Sequence, residues 1–241
     1  EWSGFDSQNL AFWDSEREEY RLYRRATFRE EPLGTCRDIL TYTSSDFLNW
    51  GEAQRLQYPD ALPEQLYTNN IIPYFRAPHL FVGFPARYVQ RAWSESFEDL
   101  PEPERRKDLI RKNGAEPGDD NPTTAGGQRI GTSLTDTLFM SSRDGASFNR
   151  WPEAFIRPGL RTKNNWFYPD NYQAWGMLTT ASEIEDAPDE LSFYASEGCR
   201  REGMSNNCRR YSLRMDGFVS AHVNVKGGQL TTHPITFSGS D

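Results

Sequence analysis

Asp6 and Glu64 each stand just ahead of a strand-like run, Asp6 before Leu10-Ala11-Phe12-Trp13 and Glu64 before Tyr67-Thr68-Asn69-Asn70. Two carboxylates brought close together shift each other's ionisation, so that one stays protonated while the other is charged. Such a pair suits a reaction that needs a carboxylate facing a developing cation and a proton donor at the leaving oxygen. Asp6 and Glu64 are therefore the expected catalytic pair. Tyr67, Asn69 and Asn70 open the second run and can donate hydrogen bonds to ligand hydroxyls. Arg76, Arg87 and His79 flank the hairpin that follows and suit a carboxylate or sulfate, although a buried or hydrogen-bonded structural role is the expectation for His79. Trp166 and Tyr168 begin a third unit and offer ring faces for stacking, or else core. Asp136, at a strand start, is read alternatively as a salt-bridge partner of an Arg between units. Glu153 is a further carboxylate, and Glu190 is expected to be structural.

These residues must be held by strands, because helical periodicity is nearly absent and short strand-like runs recur between Gly, Pro, Asn and Asp turns. Leu10-Ala11-Phe12-Trp13, a charged turn and Tyr20-Arg21-Leu22-Tyr23 predict a hairpin, with a third strand from Arg37 to Thr43 and a turn at residues 44–50 leading to a fourth. Four short strands in roughly 50 residues is the size of one propeller blade. The pattern repeats from Thr68 to Tyr74, His79 to Pro85 and Asp136 to Met140, and again from Trp166 through Gln173 to Thr180, Leu191 to Tyr194 and Arg210 to Met215. Ser44-Ser45-Asp46 and Ser142-Arg143-Asp144 predict the same tight turn twice, each Asp bonding the turn backbone before an aromatic that plugs the strands. Residues 91–131 interrupt the pattern as an insertion, with one short solvated helix at residues 105–112 and a mobile polar loop at residues 114–128.

Composition narrows the partner. The 241 residues carry a net charge of −8, with 27 Lys and Arg against 35 Asp and Glu. A general nucleic-acid binder needs a basic footprint, so none is expected, while a neutral polymer such as a polysaccharide fits and local Arg clusters suit an acidic or sulfated sugar. Aromatics make up 14% of the chain, too many for disorder. No apolar run is long enough to span a bilayer, so no membrane partner is expected. Phosphate loops, Gly-x-Ser-x-Gly elbows and His-Glu-x-x-His motifs are missing from the sequence. His79, His222 and His233 lie far apart and Cys36, Cys199 and Cys208 lack zinc spacing, so no cofactor or metal is expected. A structural calcium held by carboxylates and carbonyls is compatible but unmarked. Cys199 and Cys208 read equally as a local disulfide or as two free thiols.

Asp6-Ser7-Gln8-Asn9, Trp13-Asp14 and Tyr20-Arg21-Leu22-Tyr23 resemble the start of an inner blade in five-bladed glycoside hydrolases, the clan of fructan hydrolases and arabinanases (families 32 and 43), and a large bacterial branch similar to them. Ser142-Arg143-Asp144-Gly145, Arg214-Met215-Asp216-Gly217-Phe218 and Leu230-Thr231-Thr232-His233-Pro234 resemble that branch's recurring segments. The resemblance implies an all-β fold of β-propeller blades over residues 1–220, partial because one or two blades fall outside the chain, then the start of a C-terminal β-sandwich or a closing strand at residues 221–241. It implies a glycoside hydrolase-like activity on a polysaccharide or oligosaccharide, exo-acting because a propeller funnel closes at its base, and favours an extracytoplasmic location. It places Asp6 where the clan has a transition-state-stabilising or pKa-tuning Asp. Arg76-Ala77-Pro78 departs from the clan's Arg-Asp-Pro, so that carboxylate role passes to no residue there. A non-catalytic carbohydrate-binding propeller and a protein-interaction propeller are the alternatives.

Overall fold

A computed structural model describes residues 5–6, 8–30, 34–119, 125–199 and 207–232. The fold is all-β, made of small antiparallel sheets in which each strand pairs mainly with its neighbours in sequence, as in propeller blades. The first sheet is the meander β1 (Leu10–Asp14), β2 (Glu19–Glu30), β3 (Gly34–Ser44) and β4 (Gln54–Arg55). The expected hairpin is there, and β2 runs on past Tyr23 through Thr27 and Phe28, pairing with β3 from Tyr20↔Ser44 to Glu30↔Gly34. Asp14, fully buried, closes the β1–β2 turn by accepting the Glu16 amide at 3.1 Å and the Arg17 guanidinium at 2.9 Å.

The second unit comprises β5 (Gln65–Leu66), β6 (Ile72–Tyr74), β7 (Ala77–Gly83), β8 (Ala86–Val89), β9 (Leu134–Thr137), β10 (Met140–Ser142) and β11 (Asn149–Arg150). It forms two sheets, β11-β10-β7-β6 and β5-β8-β9. The same chain runs are neighbours in both, so this is one meander bent at Phe84-Pro85. Pro85 has no N–H to continue the ladder, and its carbonyl instead accepts the Leu138 amide at 2.9 Å. The third unit is the meander β12 (Leu178–Thr180), β13 (Glu190–Glu197) and β14 (Asn207–Arg214). Tyr23, Ile39, Leu66, Phe81, Leu138 and Phe148 fill the space between the first and second units, and Phe84, Phe139, Leu191 and Phe193 that between the second and third. Phe218, of the Asp216-Gly217-Phe218 segment, stacks on Phe139 with centroids 5.1 Å apart.

The two predicted turns carry the same hydrogen bonds. The Ser44 hydroxyl accepts the Asp46 and Phe47 amides, and Asp46 Oδ1 accepts those of Leu48 and Asn49. Ser142 and Asp144 do the same for Asp144, Gly145, Ala146 and Ser147. Phe47 and Gly145 occupy the same left-handed position, with φ of 67° and 75°. The plugs differ. Phe148 is fully buried, whereas Trp50 is half-buried against Phe47.

The insertion differs from its prediction. The short helix forms as α1 (Pro103–Lys112), but a second helix, α2 (Ala125–Thr132), stands where a loop was expected up to Gln128. Its glycines mimic a loop signal yet serve helix packing: a Cβ on Gly131 would lie 2.5 Å from the Arg106 carbonyl and 2.8 Å from Ile110. Arg106 is fully buried and donates to the carbonyls of Pro101, Gly131, Asn165 and Trp166. It pins the helix pair to the third unit. Residues 221–232 form no strand and are exposed, and residues 233–241, which include His233 and Pro234, lie outside the described residues. No disulfide joins Cys199 to Cys208; Cys208 pairs across the strands with Ser196. No helix among the described residues is long and apolar enough to cross a membrane.

The Gly145 turn also joins units, since its carbonyl accepts the Tyr23 hydroxyl at 2.7 Å and Arg21 at 3.3 Å. A Cβ there would lie 2.8 Å from Arg21 and Tyr23 and 2.9 Å from Phe81, in a left-handed conformation. Gly145→Ala is expected to destabilise the protein by about 3 kcal/mol, the sum of left-handed strain and overpacking. Chemical denaturation measures it, and an unchanged midpoint would refute the docking.

Candidate functional site

Side chains alternate across a strand, so the β5–β8–β9 sheet has two faces. The cross-strand neighbours Gln65, Tyr88 and Thr135 share one face, and Leu66, Arg87 and Asp136 share the other. The sequence-predicted residues divide between these faces.

On the Arg87 face, the guanidinium makes a two-pronged contact with Asp136, at 2.9 and 2.7 Å, and donates to Glu64 at 2.6 Å and to the Pro152 carbonyl at 3.0 Å. Asp136 is the salt-bridge partner of an Arg, but of one on the neighbouring strand of the same unit, where an Arg between units was expected. Glu64 also meets the buried Arg150 at 3.1 Å. Both residues line a cavity of about 200 Å³ together with Asp38, Arg55 and Tyr58. Asp38 accepts the Ile39 amide at 2.8 Å, Arg55 at 2.7 Å and the Tyr58 hydroxyl at 3.0 Å. Burial raises the Asp38 pKa above the usual carboxylate range against the pull of those bonds. Arg55 continues the chain of charges to Glu30 at 2.8 Å. Both oxygens of Glu64 and both of Asp38 are thus engaged, and the two sets of charges meet where Arg150 lies 4.5 Å over the Tyr58 ring.

The opposite face gathers tyrosines and arginines. The Tyr168 hydroxyl donates to that of Tyr67 at 3.0 Å, and the ring of Tyr88 lies 5.6 Å from that of Tyr168 and 6.2 Å from that of Tyr67. Arg25 lies 4.3 Å over the Tyr67 ring, and Arg37 lies 5.2 Å from both Tyr67 and Tyr88. Arg25 forms an ion pair with Asp6, whose side chain is 67% exposed. Arg37 donates to Gln65 at 2.6 Å, and Arg129 of α2 sits 5.4 Å from the Tyr168 ring. Burial pushes the Tyr67 pKa up, but hydrogen bonds from Tyr168 and Arg25 and the charges of Arg25 and Arg37 outweigh it and leave it lowered. Tyr168 is raised to about 12 by burial and by Tyr67. The Tyr67 hydroxyl is therefore the more acidic of the two.

Asp6 and Tyr67 are thus brought together through Arg25, while Glu64 and Arg87 face the other way and do not share a site with Asp6. Asn69 and Asn70, both buried, fasten the units to each other. Gln8 accepts their amides at 2.8 and 3.0 Å, and Asn70 donates to the Gln173 carbonyl at 2.8 Å. Arg76 stands past the far end of β6, on Asp216 at 3.1 Å. The Trp166 indole donates to the Gly159 carbonyl at 3.0 Å and carries Arg161 at 5.3 Å. His79 is exposed on β7, where a buried or hydrogen-bonded histidine was expected. Arg25, Arg37, Tyr88 and Arg129 went unrecognised in the sequence. The available signal was alternation, which puts Arg21, Tyr23 and Arg25 on one buried side of β2. Among the described residues no three or more His, Cys, Asp or Glu side chains gather where a metal ion could be held.

No family model and no curated protein matches the chain. Solved structures do. An N-acetylgalactosamine deacetylase from F. plautii, in complex with blood group B trisaccharide, is 10% identical, over 78% of this chain and 40% of that one, with a TM-score of 0.45. The Bombyx mori GH32 beta-fructofuranosidase is 11% identical, over 83% and 31%, with a TM-score of 0.38. A beta-fructofuranosidase from Schwanniomyces occidentalis complexed with fructosyl-erythritol is 12% identical, over 88% and 44%, with a TM-score of 0.34. The chain spans less than half the length of each of these structures.

Two outcomes test this geometry. Glu64→Ala leaves Arg150, only 1% exposed, without its carboxylate. It should cost about 3 kcal/mol of stability, the low end for a broken buried pair because Glu64 itself is partly exposed. A loss under a few tenths in urea denaturation would contradict the pairing. In an ultraviolet titration the first phenolate should form below the ordinary tyrosine value of about 10, and Tyr67→Phe should abolish that earliest step. An unchanged titration would show that Arg25 and Arg37 do not act on Tyr67.

Proposed function

We propose that this chain is part of a carbohydrate-active propeller protein that binds a sugar on the Tyr67–Tyr88–Tyr168 face and hydrolyses a glycosidic bond there, acting at chain ends. The observation that carries the reading is the coupling of Asp6 to Tyr67 through Arg25, where the segments leading into the first two units converge. Asp6 is largely exposed and can meet a ligand. Arg25 holds it in place through their ion pair, and a carboxylate is the group that faces an oxocarbenium-like centre in such a reaction. Tyr67 and Tyr168 form a short hydroxyl relay whose two members differ in acidity, which suits moving a proton to or from a leaving oxygen. The inner ends of the units provide the hydrogen-bonding groups, and the strands beneath keep them rigid.

A second reading, carbohydrate binding without hydrolysis, is favoured by the placement of Glu64. With Glu64 turned to the other face, Asp6 is left without the second carboxylate that most glycosidases use.

Product release from a panel of plant and algal polysaccharides separates the two. With hydrolysis, a terminal sugar is released and Asp6→Asn lowers the rate at least a hundredfold while the fold is kept, as measured by circular dichroism. Binding of a glycan without release would establish the second reading. Release undiminished by Asp6→Asn would remove Asp6 from the chemistry.

A further inference from the structure

We propose that the ligand of the tyrosine face is anionic, a sugar bearing a carboxylate or a sulfate, with Arg37 and Arg129 as the residues that recognise the charge. This rests on the carbohydrate reading of the same face and names its substrate class.

The protein has an acidic balance of −8, and many of its arginines are already matched. Arg25 is neutralised by Asp6, Arg55 by Asp38 and Glu30, and Arg87 by Asp136 and Glu64. Arg37 and Arg129 are different. Among the described residues neither meets a carboxylate within 4 Å, the reach of an ion pair. Arg37 spends one N–H on Gln65 and holds its guanidinium carbon 5.2 Å from the ring centroids of Tyr67 and Tyr88. Its Nε and Nη2 donors remain for a ligand. Arg129 reaches the same group of rings at Tyr168, 5.4 Å from its centroid, and that ring lies 5.6 Å from that of Tyr88. Two half-buried guanidinia thus flank one cluster with their charge uncompensated. Half-burial makes an unpaired charge costly, and an anion from outside relieves that cost.

The covered rings point the same way. Arg25 and Arg37 occupy the surroundings of the Tyr67 ring, the position a neutral sugar would need for stacking. Tyr88 and Tyr168 are themselves buried, so what the face offers a ligand is its guanidinium edges. A guanidinium presents two parallel N–H groups, a geometry that matches the two oxygens of a carboxylate or sulfate. Asp6 does not cancel this field, because Arg25 already balances it. The net positive charge of the face is that of Arg37 and Arg129.

Calorimetry on the full chain tests the proposal with two matched pairs of probes: trigalacturonic acid against its methyl ester, and a sulfated galactan oligosaccharide against its desulfated form. The acidic member of at least one pair is expected to bind at least tenfold tighter than its neutral partner, with the difference shrinking as salt rises. Which pair shows the effect tells carboxylate from sulfate. Arg37→Ala should remove most of the difference, and Arg37→Lys should restore only part of it because the paired donors are gone. Should Arg37→Ala fail to fold, Arg129→Gln provides the same readout. Equal binding within both pairs, or binding of neutral oligosaccharides only, overturns the anionic assignment and leaves the carbohydrate reading intact. Binding of no sugar of either charge overturns both.

Discussion

Arg87 is bonded at once to Asp136, Glu64 and the Pro152 carbonyl, and that single guanidinium fixes how the β5–β8–β9 sheet is threaded. Because side chains alternate, a slip of one residue would exchange Arg87 for Tyr88 and bring the charged network to the side where the tyrosines now stand. The sheet is short, and its two-residue strand β5 has little hydrogen bonding of its own to hold a register. The ion-pair clamp provides what the ladder lacks. Burial strengthens its dependence on complete pairing, since removing one charge would leave another stranded. Everything about the opposite face follows: Tyr67 and Tyr88 face the arginines of the first unit only while Arg87 faces Glu64.

Much of this architecture was legible in the sequence. The β1–β2 hairpin followed from apolar runs around a charged turn, and the paired Ser-x-Asp turns reproduced the same bonds 98 residues apart because the local chemistry of Ser44 and Asp46 repeats in Ser142 and Asp144. Local signals ended there. Glu64 and Asp6 look alike in sequence, each a carboxylate ahead of a strand, and only sheet alternation and the position of Arg87 tell them apart. Arg25 and Arg37 read as ordinary strand residues, since their partners Asp6, Tyr67 and Tyr88 lie on other elements. The α2 helix was hidden by Gly126, Gly127 and Gly131, which signal a loop to a reader of sequence, while Gly127 and Gly131 serve close helix packing in the fold.

The insertion illustrates how a peripheral segment becomes part of a site. Arg106 is buried without a carboxylate bonded to it and is satisfied by four carbonyls from both helices' surroundings and the third unit. Desolvation lowers its pKa to about 10, yet it remains charged at neutral pH. That anchorage fixes α2 against the sheet, where the Tyr88 hydroxyl meets Ser133 at 2.9 Å and Arg129 meets Tyr168. The long interruption in the blade pattern is thus the wall of the tyrosine face. A similar economy marks the inner segments, where Gln8, Asn69, Asn70 and Gln173 tie the three units together through backbone groups.

The central claim is that sugar is bound on the face carrying Tyr67, Tyr88 and Tyr168 and away from the cavity carrying Tyr58. Fluorine NMR of protein labelled with 3-fluorotyrosine reads both faces at once, with resonances assigned by single Tyr→Phe variants and oligosaccharides, acidic and neutral, added stepwise. The account predicts saturable shifts at Tyr67 and Tyr168 and none at Tyr58. Shifts confined to Tyr58 would contradict it and move the site to the Glu64 cavity.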